Sequence, residues 1–252
     1  MNPYLLEQDD EGLLVFTINR PEKRNAINYE VMAGLEDALK KSNEGNNKAL
    51  VITGAGNRAF CSGGDLVVFH DLRTEKEAFE MLSRMSDILT KLFFHQKPTI
   101  ALLNGVAVGG GCELASACDY RIANKNVKAG FIQGTLAITT GWGGGTFLSE
   151  KLLPANGMKM LMEASLYDAN QLKELGFIQA IVDGERLESD KQYIEKILHL
   201  ELAVLKAYKK LFINKWMQAN IEQRVMQEVR SCARLWGEEA HHQQVSKFLS
   251  NK

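Results

Sequence analysis

Glu113 stands three residues after the middle of a glycine run, Gly109-Gly110-Gly111, and that spacing is the first place in this chain where chemistry can be read. The residues before the run, Thr99-Ile100-Ala101-Leu102-Leu103, suit a strand, and Leu114-Ala115-Ser116-Ala117-Cys118-Asp119 after it suit a helix. Glycines between a strand and a helix leave backbone N–H groups that no side chain shields, which suits them to hold developing negative charge. Glu113 would then place an acid or base beside those donors. A second cluster, Phe60-Cys61-Ser62-Gly63-Gly64-Asp65-Leu66, also follows a strand, Ala49-Leu50-Val51-Ile52-Thr53. Its Ser62 N–H, freed by Gly63 and Gly64, reads as a second donor converging on the same oxygen. A third cluster, Gly141-Trp142-Gly143-Gly144-Gly145, reads as a loop.

Other chemistries fit less well. Gly54-Ala55-Gly56-Asn57-Arg58-Ala59 has the spacing of a dinucleotide fingerprint, but two more glycines follow it where a helix should begin. Ser62 lacks the Gly-x-Ser-x-Gly elbow of a serine nucleophile. His70, His95, His199, His241 and His242 show no metal spacing. The two adjacent histidines are expected at the surface, Cys112 and Cys118 in the core, and Lys209-Lys210 on a solvated helix face.

The elements that must position these groups follow from periodicity. Leu13 to Asn19 reads as a buried strand, Asn28 as the cap of a helix through Val31, Leu35, Ala38 and Leu39, and Glu75 to Phe94 as a helix ended by Pro98. Tyr120-Arg121-Ile122-Ala123 and Ile178-Gln179-Ala180-Ile181-Val182 read as further strands, with short helices between them. From about Ser189 only helical spacing remains. The layout is an α/β core over residues 1–188 followed by a helical region over 189–252. With 45% hydrophobic and 24% charged residues and a formal net charge of −1, there is no electrostatic case for nucleic acid or an anionic membrane. No apolar span approaches the roughly 20 residues of a membrane helix. The first residues lack the layout of a signal peptide, and four cysteines without Cys-x-x-Cys spacing fit reduced thiols and a cytoplasmic home.

Three motifs in order resemble the enoyl-CoA hydratase/isomerase (crotonase) family across nearly the whole chain. They are Asn19-Arg20-Pro21-Glu22-Lys23-Arg24-Asn25-Ala26-Ile27, Ala59 to Leu66, and Asn104 to Glu113. The resemblance implies a crotonase-like spiral of ββα units, with the C-terminal helices mediating a homotrimer or hexamer. It also implies an acyl-CoA thioester substrate and no cofactor beyond the coenzyme A of that substrate. By position, the oxyanion donors are the N–H groups of Ser62 and Gly110. Arg24, Ala26, Gly64, Asp65 and Leu66 line the coenzyme A side, and Glu113 is the first of the two glutamates that hydratases use. The second falls on Gln133, an amide that can orient water but cannot take its proton. Leu136 to Gly144, including Trp142, and the tail from Leu235 to Phe248 resemble the ethylmalonyl-CoA decarboxylase branch. The resemblance thus implies a lyase that hydrates an enoyl-CoA, or alternatively one that decarboxylates an alkylmalonyl-CoA through the same enolate. A non-catalytic acyl-CoA-binding subunit is a third reading.

Overall fold

The computed structural model describes residues 2–183 and 187–250. Strands β1 (Tyr4–Gln8), β2 (Leu13–Ile18), β3 (Ala49–Gly54), β4 (Ala59–Cys61), β5 (Thr99–Leu103), β6 (Val106–Val108), β7 (Tyr120–Asn124), β8 (Lys128–Gly130), β9 (Tyr167–Asp168) and β10 (Ala180–Val182) divide between two sheets. A six-stranded sheet runs β1-β2-β3-β5-β7-β10, and a four-stranded one runs β4-β6-β8-β9. The chain therefore alternates: β3, β5 and β7 lie in the first sheet, and β4, β6 and β8 in the second. All pairs from β2 to β10 in the large sheet are parallel, which requires both faces to be covered and explains the fully buried β3 and β5.

The covering helices are α1 (Tyr29–Glu44), α2 (Leu66–Phe69), α3 (Glu75–Phe93), α4 (Gly110–Ala117), α5 (Gly144–Lys151), α6 (Pro154–Met162), α7 (Ala169–Glu174), α8 (Leu187–Leu198), α9 (Leu202–Gln218), α10 (Ile221–Trp236) and α11 (Glu239–Ser250). Asn28 caps α1 by accepting from the Val31 N–H at 3.0 Å, and Thr74 with Glu77 closes a capping box on α3. The continuous helical spacing from Ile194 to Leu211 is interrupted at His199–Glu201, so it forms two helices rather than one. Among the described residues, no helix is long and apolar enough to cross a membrane.

The helical region packs directly on the α/β core. Trp216 of α9 packs on Phe93 with ring centroids 4.1 Å apart. Ile221, Val225, Val229, Cys232 and Trp236 of α10 belong to the same buried cluster as α3, α4 and the strands. A separate, smaller cluster lies on the other face of the large sheet, where α8 contributes Ile194 and Leu198. Burial of such apolar stripes supplies about 25 cal/mol per Å² removed from water, so α10 is held by the core it helps to build.

Two surface expectations are overturned by this packing. Lys209 is buried and paired with Asp119 rather than solvated. His241 is also buried, because α11 folds back over the turn at Gln133–Leu136 and places Nδ1 2.7 Å from the Leu136 carbonyl. Four cysteines, Cys61, Cys112, Cys118 and Cys232, are buried and free, as expected of small apolar residues.

Candidate active site

The first and second glycine clusters do meet. Gly63 adopts φ +91° and lies so close to α4 that a Cβ there would stand 3.1 Å from the Gly110 nitrogen. Helix α4 begins at Gly110 itself, earlier than the apolar run starting at Leu114 suggests. Its Gly110 N–H, at the open end of the helix, has no acceptor among the described residues. The Ser62 N–H, expected as the partner donor, is instead bonded to the Arg24 carbonyl at 3.1 Å. A substrate oxygen would have to share that donor or displace Arg24 from it. The loop carrying Arg24 is tied down from below. Arg24 and Asn25 both have positive φ, and the buried Asn25 amide donates to the Ala55 and Ala59 carbonyls at 3.0 and 2.7 Å. Ala26 is buried beside it, while the Arg24 side chain is exposed.

Asp65, expected along the substrate surface, is committed elsewhere. Its carboxylate pairs with Arg20 at 2.7 Å and caps α2 through the Val67 N–H at 3.1 Å. Arg20 also donates to the Ala26 carbonyl at 2.7 Å, so this ion pair locks the first two motifs together. Leu66 is half-buried and lines a small cavity of about 40 Å³ with Leu72, Trp236 and Val245.

Glu113 lies one turn into α4, buried, and its carboxylate faces the start of α5. Oε2 accepts from the Trp142 and Gly144 N–H groups at 2.8 and 3.0 Å. Oε1 accepts from the Gln133 amide at 2.9 Å and, more weakly, from the Gly141 N–H at 3.4 Å. Burial pushes this carboxyl up to about 8 with help from the nearby Glu228 charge, against the pull of the Gly144, Trp142 and Gly141 donors. The structure thus brings Gln133 into direct contact with Glu113. Its own Oε1 is buried without a partner among the described residues. The third glycine cluster is not a loop throughout, since α5 starts at Gly144. A Cβ on Gly144 would meet the Glu113 Cγ at 2.3 Å, so only glycine lets α5 approach α4 this closely. Trp142 is buried with its indole over Gly110, where an added Cβ would meet Cζ3 at 2.1 Å, and beside Gly64.

Glu228 and Asn25 are the site residues that motif reading missed. Glu228 occupies a position between the buried Val225, Val229 and Cys232 of α10, and an acid on an otherwise apolar stripe is the signal that could have found it. Among the described residues no cluster of three His, Cys, Asp or Glu side chains is arranged to hold a metal ion.

Comparison with known proteins agrees with this architecture. The model of the enoyl-CoA hydratase/isomerase family matches residues 8–249. The crotonyl-CoA hydratase of Syntrophomonas wolfei is 30% identical over 98% of this chain and 95% of its own. The ethylmalonyl-CoA decarboxylase of Xenopus laevis is 30% identical over 98% of this chain and 83% of its own. The crystal structure of an enoyl-CoA hydratase from Bacillus halodurans superimposes with a TM-score of 0.87 at 25% identity, covering 97% of this chain and 99% of that one. A paired glycine cradle, a buried glutamate on the first turn of the helix it opens, and a family match over almost the full length lead to one conclusion: the chain belongs to the enoyl-CoA hydratase/isomerase family.

Proposed function

We propose that this protein is a lyase acting on an acyl-CoA thioester through an enolate, and that its reaction is decarboxylation of a short alkylmalonyl-CoA. The observation that carries the choice is the 2.9 Å contact between Gln133 and Glu113, which puts an amide where a two-carboxylate site would carry its second acid. Hydration needs one group to take a proton from water, and an amide cannot do so near neutral pH. Decarboxylation needs no base to begin. The C–C bond to the carboxylate breaks, carbon dioxide leaves, and the electron pair moves into the thioester carbonyl. The Gly110 N–H is free to meet the resulting oxyanion, and the Ser62 N–H can join it by exchanging its Arg24 bond.

A proton must then reach the α-carbon. Glu113, pushed up to about 8 by burial, keeps its proton at neutral pH and is the group to deliver it. Gln133 accommodates both states of that acid. With Glu113 ionised, the Gln133 Nε2 donates to it. With Glu113 protonated, a half-turn of the amide presents the otherwise unpartnered Oε1 as acceptor. Trp142 covers the glycines and keeps water from the enolate. Arg24, Ala26, Gly64 and Leu66 are assigned to the coenzyme A and acyl surface, while Asp65 supports that surface through Arg20. The exposed Tyr208, Leu211, Phe212 and Met217 of α9 are assigned to self-association as a trimer or hexamer, which a monomeric mass by light scattering would contradict.

The test is carbon dioxide release from methylmalonyl- and ethylmalonyl-CoA measured beside loss of enone absorbance from crotonyl-CoA. Release without appreciable hydration is expected. Hydration that dominates and survives Gln133→Ala would overturn the proposal. Hydration is the second reading, favoured by the 30% identity to a crotonyl-CoA hydratase over 98% of the chain. Gln133→Glu should move the protein toward it, since a second carboxylate would be restored beside the first.

A further inference from the structure

Helix α5 begins between two carboxylates, only one of which belongs to the site as described so far. Glu113 takes the Trp142 and Gly144 N–H groups. Glu228, from α10, takes the next two: its Oε1 accepts from Gly145 at 3.1 Å, and its Oε2 accepts from both the backbone N–H and the hydroxyl of Thr146 at 2.7 Å. Successive N–H groups at the positive end of one helix thus bind the two acids side by side. Hydrogen bonds from Trp142, Gly144, Gly145 and Thr146 to these two carboxylates leave the Gly141–Gly145 loop little freedom, and that loop carries the indole that covers Gly110.

We propose that Glu228 is a positioning residue of this site and serves as its second carboxylate, holding the Trp142 loop in place and keeping the proton on Glu113 through the repulsion of a neighbouring like charge. This rests on Glu113 acting as the acid of the reaction proposed above. The other titratable groups around Glu113 carry no charge that could do the same. Cys112 precedes it on α4 and Cys232 approaches from α10, and burial pushes both thiols upward. Gln133 is neutral. Glu228 is therefore the one negative charge set against Glu113 among the described residues. In sequence terms, the carboxylate absent at position 133 has a counterpart nearly a hundred residues later, delivered by the C-terminal helical region. It does not touch the reacting atoms, and it acts through Glu113 and α5.

The experiment compares Glu228→Gln and Glu228→Asp with the wild-type full-length protein, following carbon dioxide release as a function of pH. Removing the charge should move the alkaline limb of kcat down by about one pH unit. At pH 8.5 the loss should be about fivefold to tenfold, while kcat at pH 6 and KM stay within about twofold. Glu228→Asp keeps the charge and should keep the wild-type midpoint. A purely structural role would lower kcat equally at both pH values, or leave both unchanged, and either result overturns the proposal. If Glu228→Gln is too unstable to assay, Glu228→Asn, which also removes the charge while keeping an amide oxygen to accept from the start of α5, makes the same comparison. If the wild type turns over no thioester, the reading of the reaction falls, but Glu228 is still testable. The backbone amide of Trp142 in protein labelled with [15N]tryptophan reports the Glu113 titration directly. A lower midpoint in the Glu228→Gln protein supports the proposal, and an unchanged one overturns it.

Discussion

The two ends of α4, a helix of only eight residues, satisfy their unpaired backbone groups in opposite ways. At the C-terminal end the carbonyls are closed by buried cations. Lys151 Nζ donates to the Ser116 and Cys118 carbonyls at 2.7 and 2.5 Å, and Arg121 donates to Cys118 at 2.8 Å. Burial holds the Lys151 ammonium well below its ordinary range and Arg121 at about 10. Asp119 and Lys209 pair alongside. At the N-terminal end the Gly110 N–H has no acceptor among the described residues, and the nearby Glu113 spends its carboxylate on the start of another helix. One end is finished by the protein itself, and the other is left open in the way the proposed reaction requires. Cations at the carbonyl end offset the negative pole of the helix dipole, while the open N–H leaves its positive pole uncompensated at Gly110.

Substitutions can break this comparison. The largest effect is expected from Glu113→Gln, which removes the acid while keeping the shape. Turnover should fall by about 10²–10⁴-fold with the protein still folded, and a steady-state assay with a melting curve checks both halves. Gly110→Ala comes next. Its methyl would overlap the Trp142 ring, so either the indole or the helix terminus must move, and about 10²-fold should be lost from kcat with some loss of melting temperature.

At the other end, Lys151→Met should do the reverse. It strips donors from two buried carbonyls, and about 2 kcal/mol lost would lower the melting temperature by about 4–8 °C, while kcat stays within about threefold. If Lys151→Met instead abolished turnover at unchanged stability, the division between a finished and an open end would fail.

The smallest effect sharpens the picture through pH. The folded Glu113 carboxyl is raised from an ordinary 4.5 to about 8. Between those values the folded protein holds a proton that the unfolded chain has released, so this group's contribution to stability is full at low pH and is lost as pH rises through that window. Melting temperatures of wild type and Glu113→Gln should therefore diverge progressively from pH 5 to pH 9. Parallel curves would show that Glu113 is ionised throughout.

Much of this site was legible before any coordinates. Glu113, Gly110 and Gln133 come together as motif order implied, because each is set by a local device: a glycine run between strand and helix, or a fixed offset from Gly141. Ser62 and Asp65 lie in the expected loop, but the partners they have in the folded chain, the Arg24 carbonyl and the Arg20 guanidinium, were not legible. Which acceptor an N–H meets depends on how the Arg24 loop packs, and Arg20 takes Asp65 from 45 positions away. The four-stranded sheet was largely invisible, since strands of three residues such as β6 and β8 carry too little periodicity to announce themselves. Lys209 and His241 misled for the same reason: a polar residue on a helix reads as solvated until something folds over it.

The sequence by itself determined the family, the glycine cradle and the substitution of an amide for a carboxylate at position 133, because those depend on residue type at short, fixed spacing. Only the tertiary structure decided which carboxylates meet at the start of α5, that α10 supplies one of them, and that Trp142 closes over Gly110. These are contacts between segments as far as 83 positions apart, made where apolar burial brings α10 onto the core, and no local pattern of hydrophobicity encodes which polar atoms that burial will bring face to face.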